Sequence, residues 1–321
     1  MKVSVLGPEG SYSEMAARSL FSNFSEKPAP VFLFCSSIEN TVMCLFEENE
    51  NGYVSNCAVI PIENSIEGAV GVSMDLLLEK EVVIVAEMVI PIHHCLLVSS
   101  KTASDPNFSL DKIQILYSHP QGLYQCRSFI RNHLKNAAFV ETDSTSLAAK
   151  RVSEMSLTPE SPISAAIASK NAEENYGLKS VHDQIQDNPN NSTRFLFLIR
   201  SASFPKLKSH SKEADFHIFP ENLSQTGSGQ VFYKTSLVTS TQKDKPGALF
   251  HILEAFFKYN INLTRIESRP SKKALGEYYF YIDFEGNPAE TPVSDALDLV
   301  RQRSSYLKIL GTYGQILSNR Q

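Results

Sequence analysis

The run Asp187-Asn188-Pro189-Asn190-Asn191-Ser192-Thr193-Arg194-Phe195 gathers carboxamides, hydroxyls and a guanidinium where the apolar stretch Phe195-Leu196-Phe197-Leu198-Ile199 begins. Two other segments repeat the arrangement. Cys57-Ala58-Val59-Ile60 runs into Pro61-Ile62-Glu63-Asn64-Ser65, and Ile113-Gln114-Ile115-Leu116-Tyr117 runs into Ser118-His119-Pro120-Gln121. Polar groups at the mouth of a buried strand are where α/β proteins hold ligands, outside a sheet edge. Each segment alone is an ordinary polar loop, but three strands delivering Asn, Ser, His, Gln, Thr and Arg read as one site. Arg194 has the fork geometry that suits a carboxylate, or else holds its loop.

Other candidates are weighed the same way. Gly7-x-x-Gly10 lacks the third glycine of a dinucleotide fingerprint and a following Lys-Ser/Thr, which argues against a phosphate cradle. His93-His94-Cys95 invites a metal reading, yet neighbours on a strand face opposite ways, so packing is the expectation and no metal site is assigned. His119, beside Pro120 at a helix start, is open between general base and loop-holding hydrogen bond. Cys126 on the helix that follows is read as packing rather than nucleophile. Glu63 is an acid or a loop anchor, and Asp143 either orients Ser144 and Thr145 or caps their helix.

The elements that must position these residues alternate. Met1 to Gly7 reads as a first strand. Ser13 is the expected N-cap of a helix carrying Met15, Leu20, Phe21 and Phe24, and Ser37 that of a helix with Ile38, Val42, Leu45 and Phe46 on one face. Strands are expected at 82–86, 92–98 and 165–168, a helix at 120–134, another capped by Ser144, and a helix stop at Gly177. Strand-helix alternation implies α/β layers. Because the chain leaves its first strands and later returns, two lobes around a cleft are expected within residues 1–200. Residues 201–230, polar and rich in Ser and Lys, read as a linker. Residues 231–321 follow the order strand-helix-strand-strand-helix-strand, which is ferredoxin-like. Its expected elements are strands 235–241, 261–268, 277–284 and 307–310 and helices 248–258 and 293–301.

Composition excludes several classes. The chain has 321 residues, 42% hydrophobic and 20% charged, with a formal charge of -5. That charge argues against nucleic acid or an anionic membrane as partner, and no apolar run approaches the ~20 residues that span a bilayer. The apolar part of the N-terminus is short for a signal peptide. Five cysteines without a Cys-x-x-Cys fit reduced thiols. The expectation is a soluble cytoplasmic protein.

Several of these motifs, in this order, resemble the prephenate dehydratase family. They are Gly7-Pro8-Glu9-Gly10-Ser11-Tyr12-Ser13, Pro61 to Gly68, Ser118-His119-Pro120-Gln121, Gln125-Cys126, Ser144-Thr145 and Asn191-Ser192-Thr193-Arg194-Phe195. The C-terminal unit resembles the family's ACT regulatory domain through Gly247-Ala248-Leu249 and Glu267-Ser268-Arg269-Pro270. Gly122 departs from the small residue, such as Ala, usual there. The resemblance implies a two-lobed catalytic domain like periplasmic binding proteins with a ferredoxin-like βαββαβ ACT domain. It implies loss of carbon dioxide and water from prephenate to give phenylpyruvate in phenylalanine biosynthesis, or the same reaction on arogenate. A non-catalytic amino-acid sensor is the alternative outside enzymes.

On that resemblance Thr193, Asn64, Gln125 and Ser118 are the catalytic set, with Thr193 giving a proton to the departing hydroxide. A threonine alone lacks the acidity, so Ser118 or Asn64 must support it. Gly10, Ser11, Ser65, Gly68, His119, Gln121, Ser144, Thr145, Arg194 and Phe195 are implied to bind substrate. No cofactor is required, because the electrons move within the substrate. Phenylalanine is the implied inhibitor, held by Gly247, Ala248, Leu249, Asn260, Asn262, Glu267, Ser268, Arg269 and Pro270. A homodimer or homotetramer is expected, since ACT sheets pair through open edges.

Overall fold

The first strand, β1 (Lys2–Leu6), lies between parallel neighbours β2 (Val31–Cys35) and β3 (Cys57–Asn64). The computed structural model describes residues 1–22, 29–49, 52–157, 161–203, 233–241, 246–274 and 276–314. Phe24, most of the expected linker and the turn residues Lys243, Asp244 and Lys245 lie outside the described residues. β4 (Gly68–Ala69) pairs with β3, and β5 (Val82–Pro91) closes the sheet. The late strand β11 (Ser192–Arg200) enters between β3 and β5, antiparallel to both. The chain therefore returns to its first lobe to complete that sheet.

The second lobe holds β6 (Cys95–Ser99), β7 (Ile115–Ser118), β8 (Ala138–Glu141), β9 (Ser164–Ala168) and β10 (Leu178–His182). They lie in the order β10-β6-β9-β7-β8. Both crossings between lobes run side by side. Residues 92–94 lead out, residues 183–191 lead back, and Ile92 N–H donates to the Asn191 carbonyl at 2.8 Å. The expected strand 92–98 begins only at Cys95, because His93 and His94 belong to the crossing.

Helix starts follow hydroxyl caps. Helix α1 (Tyr12–Phe21) is capped by Ser11, whose Oγ accepts from Glu14 N, rather than by the expected Ser13. Ser37 caps α2 (Ile38–Met43), and α3 (Gly71–Glu79) completes the first lobe. In the second lobe a short α4 (Ser100–Ala103) precedes the expected helix 120–134, which is two helices, α5 (Pro120–Gln125) and α6 (Arg127–His133). The break has a cause: Asp187 N–H takes the Gln125 carbonyl at 2.7 Å, and the Asp187 carboxylate caps Ser128 N. Cys126 sits at that break, fully buried. Ser144 caps α7 (Thr145–Met155), and α8 (Asn171–Tyr176) stops at Gly177 in the left-handed region.

The third unit has strands β12 (Tyr233–Thr241), β13 (Leu263–Pro270), β14 (Tyr278–Glu285) and β15 (Ser304–Gly314), ordered β13-β14-β12-β15. Helices α9 (Ala248–Lys258) and α10 (Thr291–Arg303) cover one face. This is the expected βαββαβ order. β13 starts two residues later than expected because Asn260 takes a left-handed turn, with φ 54°.

The other face of this sheet docks on the first lobe. Val238, Tyr281, Leu310 and Tyr313 share a core with Ile60, Leu77, Ile84 and Leu198. A Cβ at Gly311 would overlap the Ile84 carbonyl oxygen, so the two backbones meet where only glycine fits.

Candidate active site

The largest of the described cavities, about 380 Å³, lies between the two lobes. From the first lobe its walls include Ser11, Tyr12, Ser13, Asn64, Glu67, Gly68, Thr193 and Phe195. From the second lobe come His119, Gln121, Gly122, Gln125, Asp143, Ser144, Thr145 and Ser146. His94 and Asn191 line it from the crossings. The starts of α1 and α7 both reach this wall, so first-turn N–H groups without helical partners converge there from opposite lobes.

Strand register explains the central pair. Thr193 on β11 stands opposite Asn64 on β3, and Asn64 Nδ2 donates to Thr193 Oγ1 at 2.9 Å. The Asn64 carboxamide oxygen is occupied by the N–H groups of Ile66 and Glu67, at 2.9 and 3.1 Å, which fixes its amide as the donor. Because Thr193 Oγ1 accepts, its own proton is left to donate. Asn64 Nδ2 also reaches Asn191 Oδ1 at 2.8 Å, and Asn191 Nδ2 donates to Gln125 Oε1 at 2.9 Å. Gln125 Nε2 reaches Glu67 Oε1 across the cleft at 3.2 Å. Neutral carboxamides thus tie the second lobe to the Thr193 hydroxyl.

Not every expected residue belongs to this wall. Side chains alternate along a strand, so Thr193 and Phe195 share one face of β11 and Arg194 takes the other. The Arg194 guanidinium meets Asp283 at 2.7 Å, Glu87 at 3.3 Å and Glu63 at 3.6 Å, on the side covered by the third unit. It is not a cleft residue. Glu63 follows it there and pairs with Arg265 at 3.1 Å. Ser118 is fully buried and donates to the Ile167 carbonyl at 3.2 Å, so the hydroxyl that supports Thr193 is not reached through it. Gly10 is buried behind the wall, its carbonyl accepting from Ser169 Oγ. Ser65 bonds Asn190 O and Ser192 N outside the cavity. His119 caps α5 by accepting from Gln121 N at 3.2 Å while also lining the cleft. A Cβ at Gly122 would come within 2.5 Å of Ser118 Oγ.

Asn191, His94, Glu67, Tyr12 and Asp143 line the cleft without having been placed in the site. Asn191 carried a signal, its position two residues before Thr193. His94 carried only its neighbour His93. The two rings diverge, His93 Nδ1 facing Gln186 and His94 Nε2 facing Gln125. Burial depresses the His94 pKa, and the Gln125 hydrogen bond opposes this only in part. Among the described residues no group of three or more His, Cys, Asp or Glu side chains could hold a metal ion.

In the third unit, Gly247 precedes α9 with φ 83°, and among the described residues no side chain caps the helix. Ala248 and Leu249 form the first turn. Asn260 and Asn262 lie in the following turn, the Asn262 carbonyl accepting from Glu285 N. On β13 the side chains alternate: Ile266, Ser268 and Pro270 are exposed, while Arg265, Glu267 and Arg269 are half-buried. Arg269 bonds neither Glu267 nor the α9 turn. It reaches Asp75 of α3 at 3.2 Å, and Lys272 joins the same carboxylate at 2.8 Å. Burial would raise the Asp75 pKa, but the Lys272 and Arg269 hydrogen bonds outweigh it and hold it below the usual carboxylate range.

Comparison with known proteins places this architecture. Residues 3–203 match the family model for prephenate dehydratase, and residues 235–297 that for the ACT domain. A prephenate dehydratase of Methanocaldococcus jannaschii is 38% identical over 307 residues, 95% of each chain. Arogenate dehydratase 5 of Arabidopsis thaliana is 33% identical, covering 98% of this chain and 67% of that one. The crystal structure of a prephenate dehydratase from Arthrobacter aurescens in complex with L-Phe aligns with a TM-score of 0.73 at 29% identity. That alignment covers 98% of this chain and 90% of that chain. With more than half of its length matched by one family model, the chain belongs to the prephenate dehydratase family.

Proposed function

We propose that the cleft converts prephenate to phenylpyruvate, carbon dioxide and water, with Thr193 as the donor to the departing oxygen. The observation that carries this is the Thr193 hydroxyl on the cleft wall, made a donor by the Asn64 amide at 2.9 Å. As the ring carboxylate leaves as carbon dioxide, its bonding electrons enter the ring and the opposite carbon–oxygen bond breaks. The hydroxide takes a proton and departs as water, and aromatisation drives the step. Donor assistance of this kind is typically worth ~10²–10⁴-fold. Asn64 orients the hydroxyl, and Gln125 and Asn191 orient Asn64. The substrate's two carboxylates suit the converging starts of α1 and α7, with Ser11, Ser144 and Thr145 beside them; Gly68, His119, Gln121 and Phe195 shape the remaining wall.

Residues 1–200 are the catalytic part and residues 231–321 the regulatory part, joined by 201–230. Phenylalanine, or a related amino acid, is the effector, its carboxylate received at the uncapped start of α9 after Gly247, near Leu249 and the exposed Ile266. Because this site lies at a surface with open strand edges, a homodimer or tetramer completes it. The protein works in the cytoplasm as a biosynthetic enzyme.

One purified sample offered prephenate and arogenate in parallel tests the reading. The expected outcome is faster formation of phenylpyruvate from prephenate than of phenylalanine from arogenate, with both rates falling when phenylalanine is added. Preferential turnover of arogenate moves the chain to the other reading, and no turnover of either removes the enzyme assignment.

A further inference from the structure

His94 sits where the chain first crosses between the lobes, at 4% exposure, with its backbone N–H on Gln186 Oε1 and its carbonyl on Ile185 N. Its Nε2 lies 2.9 Å from Gln125 Oε1, and its Nδ1 is buried with no hydrogen-bond partner among the described residues. The other bonds of Gln125 decide which way round this contact runs. Gln125 Oε1 already accepts from Asn191 Nδ2, and Gln125 Nε2 already donates to the Glu67 carboxylate. Turning the carboxamide over would set an NH₂ against an NH₂ and an oxygen against a carboxylate. The oxygen therefore faces His94, so the histidine proton must be on Nε2 and Nδ1 is a bare acceptor.

A buried acceptor left unmatched is costly, and such groups cluster where function holds them. We propose that His94 is a positioning residue for the dehydration: its Nε2–H sets the Gln125 carboxamide, which through Asn191 and Asn64 sets the Thr193 hydroxyl. The proposal rests on the dehydration reading of the cleft. It adds the point where the donations meet: His94 and Asn191 both donate to the Gln125 oxygen, and Asn64 donates to Asn191 and to Thr193. Asn64, Asn191 and Thr193 belong to the first lobe or its return segment, and Gln125 to the second. The chain of bonds is complete only when the lobes hold this relative orientation; His94 is its link on the outward crossing and Asn191 its link on the return.

The experiment has a spectroscopic arm and a kinetic arm. With ¹⁵N-labelled histidine in the full chain at neutral pH, His94 is expected as the neutral Nε2–H form, shifting in Gln125→Leu. An Nδ1–H form, or a signal indifferent to Gln125→Leu, overturns the proposal whether or not prephenate is turned over. Failure of the wild-type chain to dehydrate prephenate, by contrast, overturns the functional reading alone. In the kinetic arm His94→Leu lowers kcat roughly 10–100-fold with KM within about twofold, as a misplaced catalytic group does. His94→Gln, which returns an amide N–H near the lost Nε2–H, recovers most of that loss. On a Thr193→Val background, His94→Leu adds little further loss. Wild-type kcat in a folded His94→Leu, or full additivity with Thr193→Val, overturns the proposal.

Discussion

The two faces of β11 use opposite chemistry one residue apart. Thr193 faces a cleft where neutral carboxamides order its hydroxyl, backed by the His94 imidazole and, through Gln125, by the Glu67 carboxylate. Arg194 faces the docked regulatory sheet through an ionic cluster, with Asp283 5% and Glu87 7% exposed and Lys234 on the same Glu87. Neutral hydrogen bonds set the angle of the Thr193 hydroxyl without an ionic partner on it. Buried ions grip strongly but make removal of any one partner costly. The strand carries both, so a shift of the regulatory sheet that moves Arg194 acts on a backbone shared with Thr193.

Breaking the cleft side has the largest expected effect. Thr193→Val keeps the shape and removes the hydroxyl, and kcat is expected to fall by about 10²–10⁴. Urea unfolding should match the wild type, because little packing is lost. Turnover within about threefold of wild type would remove Thr193 from the proton path.

Alternation along β11 was present in the residues and is the part of the site that the sequence reading missed. Strand alternation, applied to His93 and His94 although they lie on the crossing, is the rule that separates Thr193 from Arg194, yet a guanidinium beside a threonine in a polar run looked like a second cleft contact. What sequence does not contain is the cover on the far face, where Asp283 arrives from 89 positions away. The strand order of the regulatory unit and the caps at Ser37 and Ser144 were legible because they are local: periodicity, a hydroxyl and a turn. The break at Cys126 was not, since a distant Asp187 makes it. The Gln125–Asn191–Asn64 chain joins three segments at separations of 66 and 127 positions, and only the residue types could be foreseen.

The second effect lies on the ionic side. Burial would raise the Asp283 pKa, but the adjacent Arg194 guanidinium holds it below the usual carboxylate range. Asp283→Ala strips Arg194 of its nearest partner and is expected to cost about 3 kcal/mol, the low end for a broken buried pair because Glu87 and Glu63 remain. Arg194→Met combined with Asp283→Leu should recover much of that, since both charges leave together. Equal losses in the single and double variants, read by urea unfolding, would show that packing rather than charge holds this face.

Acid should separate the two faces by pH. The folded chain keeps His94 neutral below the ordinary histidine value of 6.5. The unfolded chain takes up that proton first, so stability falls as pH drops from about 6.5 toward the depressed folded value, by at most ~1.4 kcal/mol per unit for one group. Tyr12 meets the same ring edge-on. Asp283 has a lowered folded pKa, so its contribution persists above the ordinary carboxylate range and is lost only as pH falls through the folded value. His94→Leu should flatten the upper phase and leave the lower one. An upper phase unchanged in that variant would assign it elsewhere.

The smallest effect tests the rim of the ionic side. Arg269 and Lys272 share Asp75 on α3, whose N-terminal end adjoins Gly68, Ala69 and Val70 of the cleft wall. Further bonds from the regulatory sheet hold the same helix region: Tyr281 OH donates to Met74 O, and Lys308 Nζ reaches Leu77 O, Leu78 O and Lys80 O. Arg269 is about one-third exposed, so its pair is worth about 0.2–1 kcal/mol, and Arg269→Gln should barely move the unfolding midpoint. Its effect on coupling is expected to be larger than its effect on stability, because α3 leads from the regulatory sheet to the cleft. Arg269→Gln should therefore shift the phenylalanine concentration for half-inhibition by severalfold while uninhibited kcat stays near wild type, a coupling change within the roughly 1–3 kcal/mol usual between sites. An unchanged inhibition curve would take α3 out of the path between the faces and leave β11, through Arg194, as the connection.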